Sequence, residues 1–199
     1  MIPFTYPSEP IRRRHAPAGY AALSSYRPWL RDEFRFRCVY CLLREQWGRS
    51  KGNFELDHFL PVAREPHRSL EYDNLLYACA TCNAIKQDQL LPDPCQSLVD
   101  GDVVVHADGT IEAHTNDAKR LVKKLALAEM PATEFRQLWI GIVNLAKQFD
   151  PDLYERLMKY PDDLPELPKL KPPQGNVRDD GISGCFFEKR RSGELPATY

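Results

Sequence analysis

No stretch of the sequence approaches the roughly 18 consecutive apolar residues that a membrane-spanning helix needs. Net charge is also missing. Twenty-seven Lys/Arg stand against 28 Asp/Glu, so no global positive field advertises a polyanionic partner. The balance is local rather than uniform: residues 1–60 carry ten Lys/Arg and six Asp/Glu, which confines any phosphate-binding surface to part of the molecule. The first residues, MIPFTYPSEPIRRRH, have no apolar core ahead of their charges. A secretory signal is therefore not expected, and a cytoplasmic, reducing setting is. There is no internal repeat and no low-complexity block beyond proline-rich segments. What is present, 43% hydrophobic residues in a chain of 199, suffices for one domain with appendages or at most two small ones.

Seventeen prolines, many near the two ends, predict extended termini. Residues 1–22, with Arg12, Arg13 and Arg14, read as a basic arm, either solvated or touching nucleic acid. Ser24 to Arg37 reads as a helix, with Ser24 or Ser25 as cap, Pro28 in the first turn, and Trp29, Leu30 and Phe34 at helical spacing. Residues 48–53 form a polar turn, and 54–60 alternate well enough for a strand that Pro61 ends. Residues 63–73 are a polar loop, 75–78 a returning strand, and a helix opens near Asn83. An Asp108-Gly109 step between β-branched runs predicts a hairpin with a tight primed turn over 103–113. Two helices follow, the first capped by Thr115 or Asn116. The second carries Phe135, Leu138, Trp139, Ile142, Leu145, Ala146 and Phe149 as a stripe read as core. A third, short helix is placed from Pro151 to about Tyr160. Residues 161–180 read as a linker with little prospect of packing, and a short apolar and basic tail closes the sequence. The organisation expected is an arm (1–22), a zinc-stapled core (23–95), a hairpin with helices (96–160) and a linker with tail (161–199), in the α+β class.

Four cysteines, Cys38, Cys41, Cys79 and Cys82, form two Cys-x-x-Cys pairs. Four thiolates can close a tetrahedron around Zn²⁺, and such closed sites are structural. A redox role expects one pair beside a βαβ unit, which is absent. Cys95 and Cys185 are expected as small core residues. Between the pairs lie Asp57 and His58. Adjacent on a strand, they point to opposite faces unless twist or a bend brings them to one cleft. Asn83 follows the last cysteine directly, so the zinc would fix its place. Asp57 and Asn83 offer hard oxygen, which suits Mg²⁺ or Mn²⁺, and an imidazole can take a proton from water near neutral pH.

Leu56-Asp57-His58, Asn74-Leu75 and Cys79-x-x-Cys82-Asn83-x-x-Lys86 together resemble the HNH (ββα-metal, His-Me finger) endonucleases, in the branch held by a four-cysteine zinc. The resemblance covers about a quarter of the chain. It implies a ββα-metal core with His58 as general base and Asp57 and Asn83 as ligands of a catalytic Mg²⁺ or Mn²⁺. By the same resemblance Asn74 braces the loop between the strands and so orients His58. The commonest pattern has His where this sequence has Asn83, and a His-Asn-Asn variant also occurs in the family. Lys86, one turn past Asn83, is a candidate for the substrate phosphate. Arg49, Lys51 and Arg64 are weaker candidates for the nucleic-acid backbone. The expected partner is nucleic acid, with DNA first, no membrane, and a protein partner on the 135–149 helix. The competing readings are a non-catalytic zinc knuckle that binds nucleic acid or protein, and an effector nuclease of a bacterial defence system.

Overall fold

β1 (Phe54–His58) and β2 (Leu75–Cys79) pair antiparallel, with Phe54 opposite Cys79 and His58 opposite Leu75. This hairpin is the centre of the computed structural model, which describes residues 1–48, 53–178 and 180–199. Arg49 and Lys51, like most of the expected 48–53 turn, lie outside the described residues. β2 is buried along its whole length, while β1 leaves Glu55 exposed. Phe54 stacks on Tyr77 across the pair at 5.0 Å between ring centres. α2 (Ala80–Lys86) starts at once after β2, with the Cys79 sulfur accepting from the Cys82 N–H at its N-terminus. It therefore opens three residues before Asn83, because the cysteine that ends the strand also caps the helix.

α1 (Arg27–Glu33) lies against β2, preceded by a 3₁₀ turn over Leu23–Tyr26. Pro28 is in its first turn as expected, but Ser24 and Ser25 sit within the 3₁₀ turn and cap nothing. The helix stops short of Arg37 because Arg35 and Phe36 take left-handed φ values of 52° and 57°. This reversal aims the chain into the first cysteine pair. The last two residues of α1, Asp32 and Glu33, are buried carboxylates that hold distant segments together. Asp32 accepts from Arg14 (2.7 Å), from the Phe186 N–H (2.8 Å), and contacts the His15 ring at 3.1 Å. Glu33 accepts from the backbone N–H groups of Arg14 and His15 and from the Tyr72 hydroxyl.

These contacts correct the reading of both ends. The arm is not loose: Phe4, Tyr6 and His15 are buried, and Arg13 donates to the carbonyls of Tyr72 and Leu75. The proline-rich 161–180 stretch packs too, with Leu164 and Leu167 buried and Asp163 bonded to Arg31. Proline and charge density signalled disorder, but buried carboxylates on α1 and apolar side chains every few residues give these segments partners. One continuous core draws on residues from Phe4 to Cys185, and Cys95 and Cys185 are within it as expected.

α3 (Pro94–Ser97), capped by Asp93, leads to β3 (Val103–Val105) and β4 (Ile111–Ala113). The connection between these strands is the five residues 106–110, not a two-residue primed turn. Asp108 accepts from the Thr110 N–H and hydroxyl, and Gly109 sits at φ 85°. Gly109 is required twice over, since a Cβ there would lie 2.5 Å from the Thr133 carbonyl. α4 (Asn116–Lys124) is capped by Thr115 and buries Ala118, Leu121 and Val122. α5 (Met130–Phe149) begins with Pro131 in its first turn, so this proline starts a helix, as its preset φ allows. α6 (Pro151–Met158), α7 (Asp180–Ser183) and α8 (Phe186–Arg191) complete the order.

The stripe read as core on α5 is turned inward only in part. The buried residues are Arg136, Ile140, Val143 and Ala146, whereas Leu138, Leu145 and Phe149 are exposed. Of the same stripe Ala146 is buried, Trp139 stacks on Trp47 at 4.4 Å between ring centres and Phe135 meets Phe4 edge-on, so the stripe is split between core and solvent. Among the described residues no helix is long and apolar enough to cross a membrane.

Candidate metal centre and nuclease site

The sulfurs of Cys38, Cys41, Cys79 and Cys82 all lie within 4.8 Å of one another, with Cys41 and Cys79 at 3.7 Å. Bonds of about 2.3 Å to one tetrahedral ion would give sulfur separations close to this. Burial pushes the Cys38 thiol upward, and Cys41 and Cys79 beside it add to the shift. Four sulfurs packed away from water need a cation to stay thiolates, and the donor set fits a structural zinc. The turn 38–41 is itself anchored, with the Leu42 N–H on the Cys38 carbonyl (3.0 Å) and the Val39 N–H on the Tyr77 carbonyl (2.9 Å). A zinc held there would join the end of the α1 reversal to the β2–α2 junction.

That junction sets the residues of the candidate active site. Strand alternation places Glu55 and Asp57 on the β1 face towards α2. Asn83 and Lys86, one turn apart on α2, meet them in order. The Asn83 amide donates to Glu55, and the Lys86 ammonium donates to Asp57 Oδ1 at 2.9 Å and to the His58 carbonyl at 2.6 Å. Asp57 Oδ2 accepts from the Tyr40 hydroxyl at 2.6 Å. Asp57 and Lys86 are 4% and 1% exposed. Burial raises the Asp57 carboxyl above the usual carboxylate range, opposed by Lys86 and Tyr40. Lys86 therefore does not face a phosphate in this arrangement. Its ammonium is drawn inward because a buried carboxylate one strand away needs a counter-charge.

His58 points the other way, as strand geometry requires. Its Nε2 lies 2.9 Å from the Ser69 carbonyl, in the loop that joins the two strands. A carbonyl only accepts, so Nε2 carries the hydrogen, and in the neutral ring Nδ1 is left as the basic nitrogen. Asn74 is fully buried and closes the same loop: its Oδ1 accepts from the Leu60 N–H (2.8 Å), and its amide donates to the carbonyls of Leu60 and Arg68 (both 3.1 Å). Arg68 precedes Ser69, so the asparagine fixes the segment that holds the imidazole.

Residues 38–89 match the family model of the HNH endonucleases. They form an HNH endonuclease domain. Its boundaries run from the first zinc cysteine to just past α2, about a quarter of the chain, and a nucleic-acid substrate follows for this domain. A search of curated proteins gave no match to the chain.

Within the HNH domain the expected residues fall into three groups rather than one cluster. Asp57 meets Lys86 and Tyr40, Asn83 meets Glu55, and His58 meets Ser69. Among the described residues no hydrogen bond joins Asp57 to Asn83. For a hard catalytic cation the donor chemistry fits in part. Among the described residues nothing donates to Asn83 Oδ1, and Glu55 is an exposed carboxylate beside it, while Asp57 has both oxygens engaged and serves a cation only if Lys86 releases Oδ1. Tyr40, Glu55 and the Ser69 carbonyl were not singled out from sequence. Glu55 was open to discovery, since it stands two residues before Asp57 on a period-2 strand. Tyr40 sits inside the first Cys-x-x-Cys, where spacing carries no hint of its hydroxyl's target. Arg64 is exposed and makes no side-chain bond among the described residues, and His67, His106 and His114 lie at the surface. A cavity of about 710 Å³, lined by Arg12, Arg35, Arg37 and Cys38 among others, lies by the arm and contains none of His58, Asp57 or Asn83.

Proposed function

We propose that the HNH domain is a divalent-cation-dependent endonuclease that hydrolyses phosphodiesters of DNA, with His58 as general base. The observation that carries this is the contact of His58 Nε2 with the Ser69 carbonyl. It leaves Nδ1 free to receive a proton from an attacking water, and it holds the ring in one orientation. Asn74 is a positioning residue that acts through Arg68 and Ser69 on that ring. A hard cation, Mg²⁺ or Mn²⁺, would be held by Asn83 and Asp57 with Glu55 at hand, and would supply Lewis acidity at the phosphate and the leaving oxygen. Lys86 neutralises Asp57, and its ammonium is turned away from a substrate phosphate. The closed zinc site shapes the domain and takes no part in the reaction.

One observation favours the non-catalytic zinc module instead: Asp57, closed by Lys86 and Tyr40, resembles a structural ion pair. The same experiment separates the two readings. Purified wild type and His58→Ala are incubated with supercoiled plasmid and Mg²⁺ or Mn²⁺, and nicking is read on a gel. A general base predicts a loss of at least ~10²-fold in His58→Ala with zinc content and melting unchanged. Binding without nicking by either protein would establish the non-catalytic module.

A further inference from the structure

Asn83 can ligate a hard cation through one atom only. Its Oδ1 accepts, whereas Nδ2, which takes nearly the same place after a half-turn of the carboxamide, carries hydrogens and repels a cation. A zinc at Cys82 would fix the backbone of Asn83 but not this rotation, because the terminal torsion of an asparagine is broad and two-fold. A half-buried amide without a partner would therefore present the wrong atom about half the time. Glu55 removes the ambiguity. Strand alternation brings it, like Asp57, to the β1 face towards α2, and there the Asn83 amide donates to Glu55 Oε2. A carboxylate only accepts, so Nδ2 and not Oδ1 must meet it, and chemistry alone assigns the amide. Oδ1 is thereby turned to the other side, where nothing among the described residues donates to it. Among the described residues the Glu55 side chain has no lysine or arginine partner and no second hydrogen-bond donor, so Asn83 is what holds it.

We infer that Glu55 is a positioning residue of the cation site: its carboxylate holds the Asn83 amide so that Oδ1 faces the metal, and it is not itself a ligand. This rests on the reading of Asn83 as a ligand of the divalent cation. The device is the one that operates on metal-bound histidines, where a carboxylate on the far nitrogen fixes which atom the ligand presents. Such outer partners are worth roughly 10–100-fold in metal affinity, and an amide near the surface calls for the lower end, about tenfold. The negative charge of Glu55 contributes separately. Water and salt screen its pull on a dication at an exposed position, which leaves about threefold. The two contributions can be separated by substitution. Glutamine at 55 keeps an acceptor for Nδ2 and drops the charge. Aspartate at 83 has two equivalent oxygens, so it needs no orienting partner.

Mn²⁺ binding to the zinc-loaded full chain, followed by loss of the free-ion electron paramagnetic resonance signal, tests this without catalysis. Asn83→Leu sets the background, and the site is the Mn²⁺ bound above it. Glu55→Ala is expected to weaken that binding by about tenfold or more, and Glu55→Gln by about threefold or less. In an Asn83→Asp background, Glu55→Ala should cost only the roughly threefold share of the charge. Wild-type affinity in Glu55→Ala overturns the inference. So does a Glu55→Gln that falls as far as Glu55→Ala, or an undiminished loss in the Asn83→Asp background; either result makes Glu55 a ligand. Glu55 is exposed, so its variants should melt as the wild type does; should Asn83→Asp fail to fold, the comparison of glutamine with alanine at 55 decides alone. A wild type that binds Mn²⁺ and nicks no plasmid ends the nuclease reading and leaves the role of Glu55 standing. A wild type that binds no more Mn²⁺ than Asn83→Leu removes the cation from Asn83, and the inference with it.

Discussion

Replacing Lys86 by Met separates a structural lysine from a substrate-binding one. The Lys86 ammonium is 1% exposed and bonded to Asp57 Oδ1 at 2.9 Å and to the His58 carbonyl at 2.6 Å. Methionine fills the same volume but leaves a buried carboxylate with the Tyr40 hydroxyl alone. Removing one partner of a buried ion pair costs about 3–5 kcal/mol. For a chain of this size that lowers the melting temperature by on the order of 10 °C. The double variant Asp57→Asn/Lys86→Met keeps an acceptor for Tyr40 and buries no charge, so it should recover most of the loss. The pH dependence has a defined sign. Burial already holds the folded-state pKa of Asp57 above its unfolded value, and without Lys86 it rises further. The folded chain then binds a proton that the unfolded one releases. The deficit of Lys86→Met relative to wild type is therefore full above the folded pKa and shrinks as pH falls towards the ordinary carboxylate range. Thermal melts of the three proteins at several pH values check this. If Lys86→Met melts like wild type and only its KM for plasmid rises, the lysine faces substrate and the ion pair is not what holds it.

Three further outcomes follow from the same geometry. Removing zinc with a chelator, or by Cys79→Ser, is expected to unfold the 38–89 segment, because a structural zinc supplies about 10–16 kcal/mol against a whole-domain stability of about 5–15 kcal/mol; metal analysis and circular dichroism read it, and a normal melt without zinc would refute the staple. Asn74→Ala orphans the Leu60 N–H and the Leu60 and Arg68 carbonyls, costing roughly 3 kcal/mol or more, and should lower kcat for nicking more than it raises KM, since it loosens the mount of His58 rather than a substrate contact. Asn83→Asp should retain nicking and Asn83→Leu should lose it with an unchanged melt; equal activity in both would remove Asn83 from the site.

Legibility in the sequence followed how local each determinant is. The β1–β2 hairpin, its helix and the thiolate cluster were readable because spacing and alternation encode them directly: cysteines with two residues between them converge on one point, and residues 54–58 alternate. The place of Asn74 was readable through the resemblance, but its three bonds were not, since they depend on how the loop closes. Sequence reading put Asp57 in an open site because a carboxylate beside a histidine suggests ligation. It could not show that Lys86, one helical turn past Asn83, and Tyr40, inside the cysteine turn, converge on that carboxylate from two other elements. The ends were misjudged for a related reason. Proline density reports the backbone's own preference, whereas their burial comes from Asp32 and Glu33, whose partners lie up to 154 residues away. On α5 the information in the pattern was complete but degenerate. Two stripes satisfy helical periodicity, and only the position of the rest of the core decides which turns inward. Leu138, Leu145 and Phe149 are left outside, while Trp139 of the same stripe stacks on Trp47 and Ala146 is buried. Periodicity ranks the two stripes alike, so the division of this helix between core and solvent comes from where Trp47 and Phe4 meet it, which no spacing on α5 encodes.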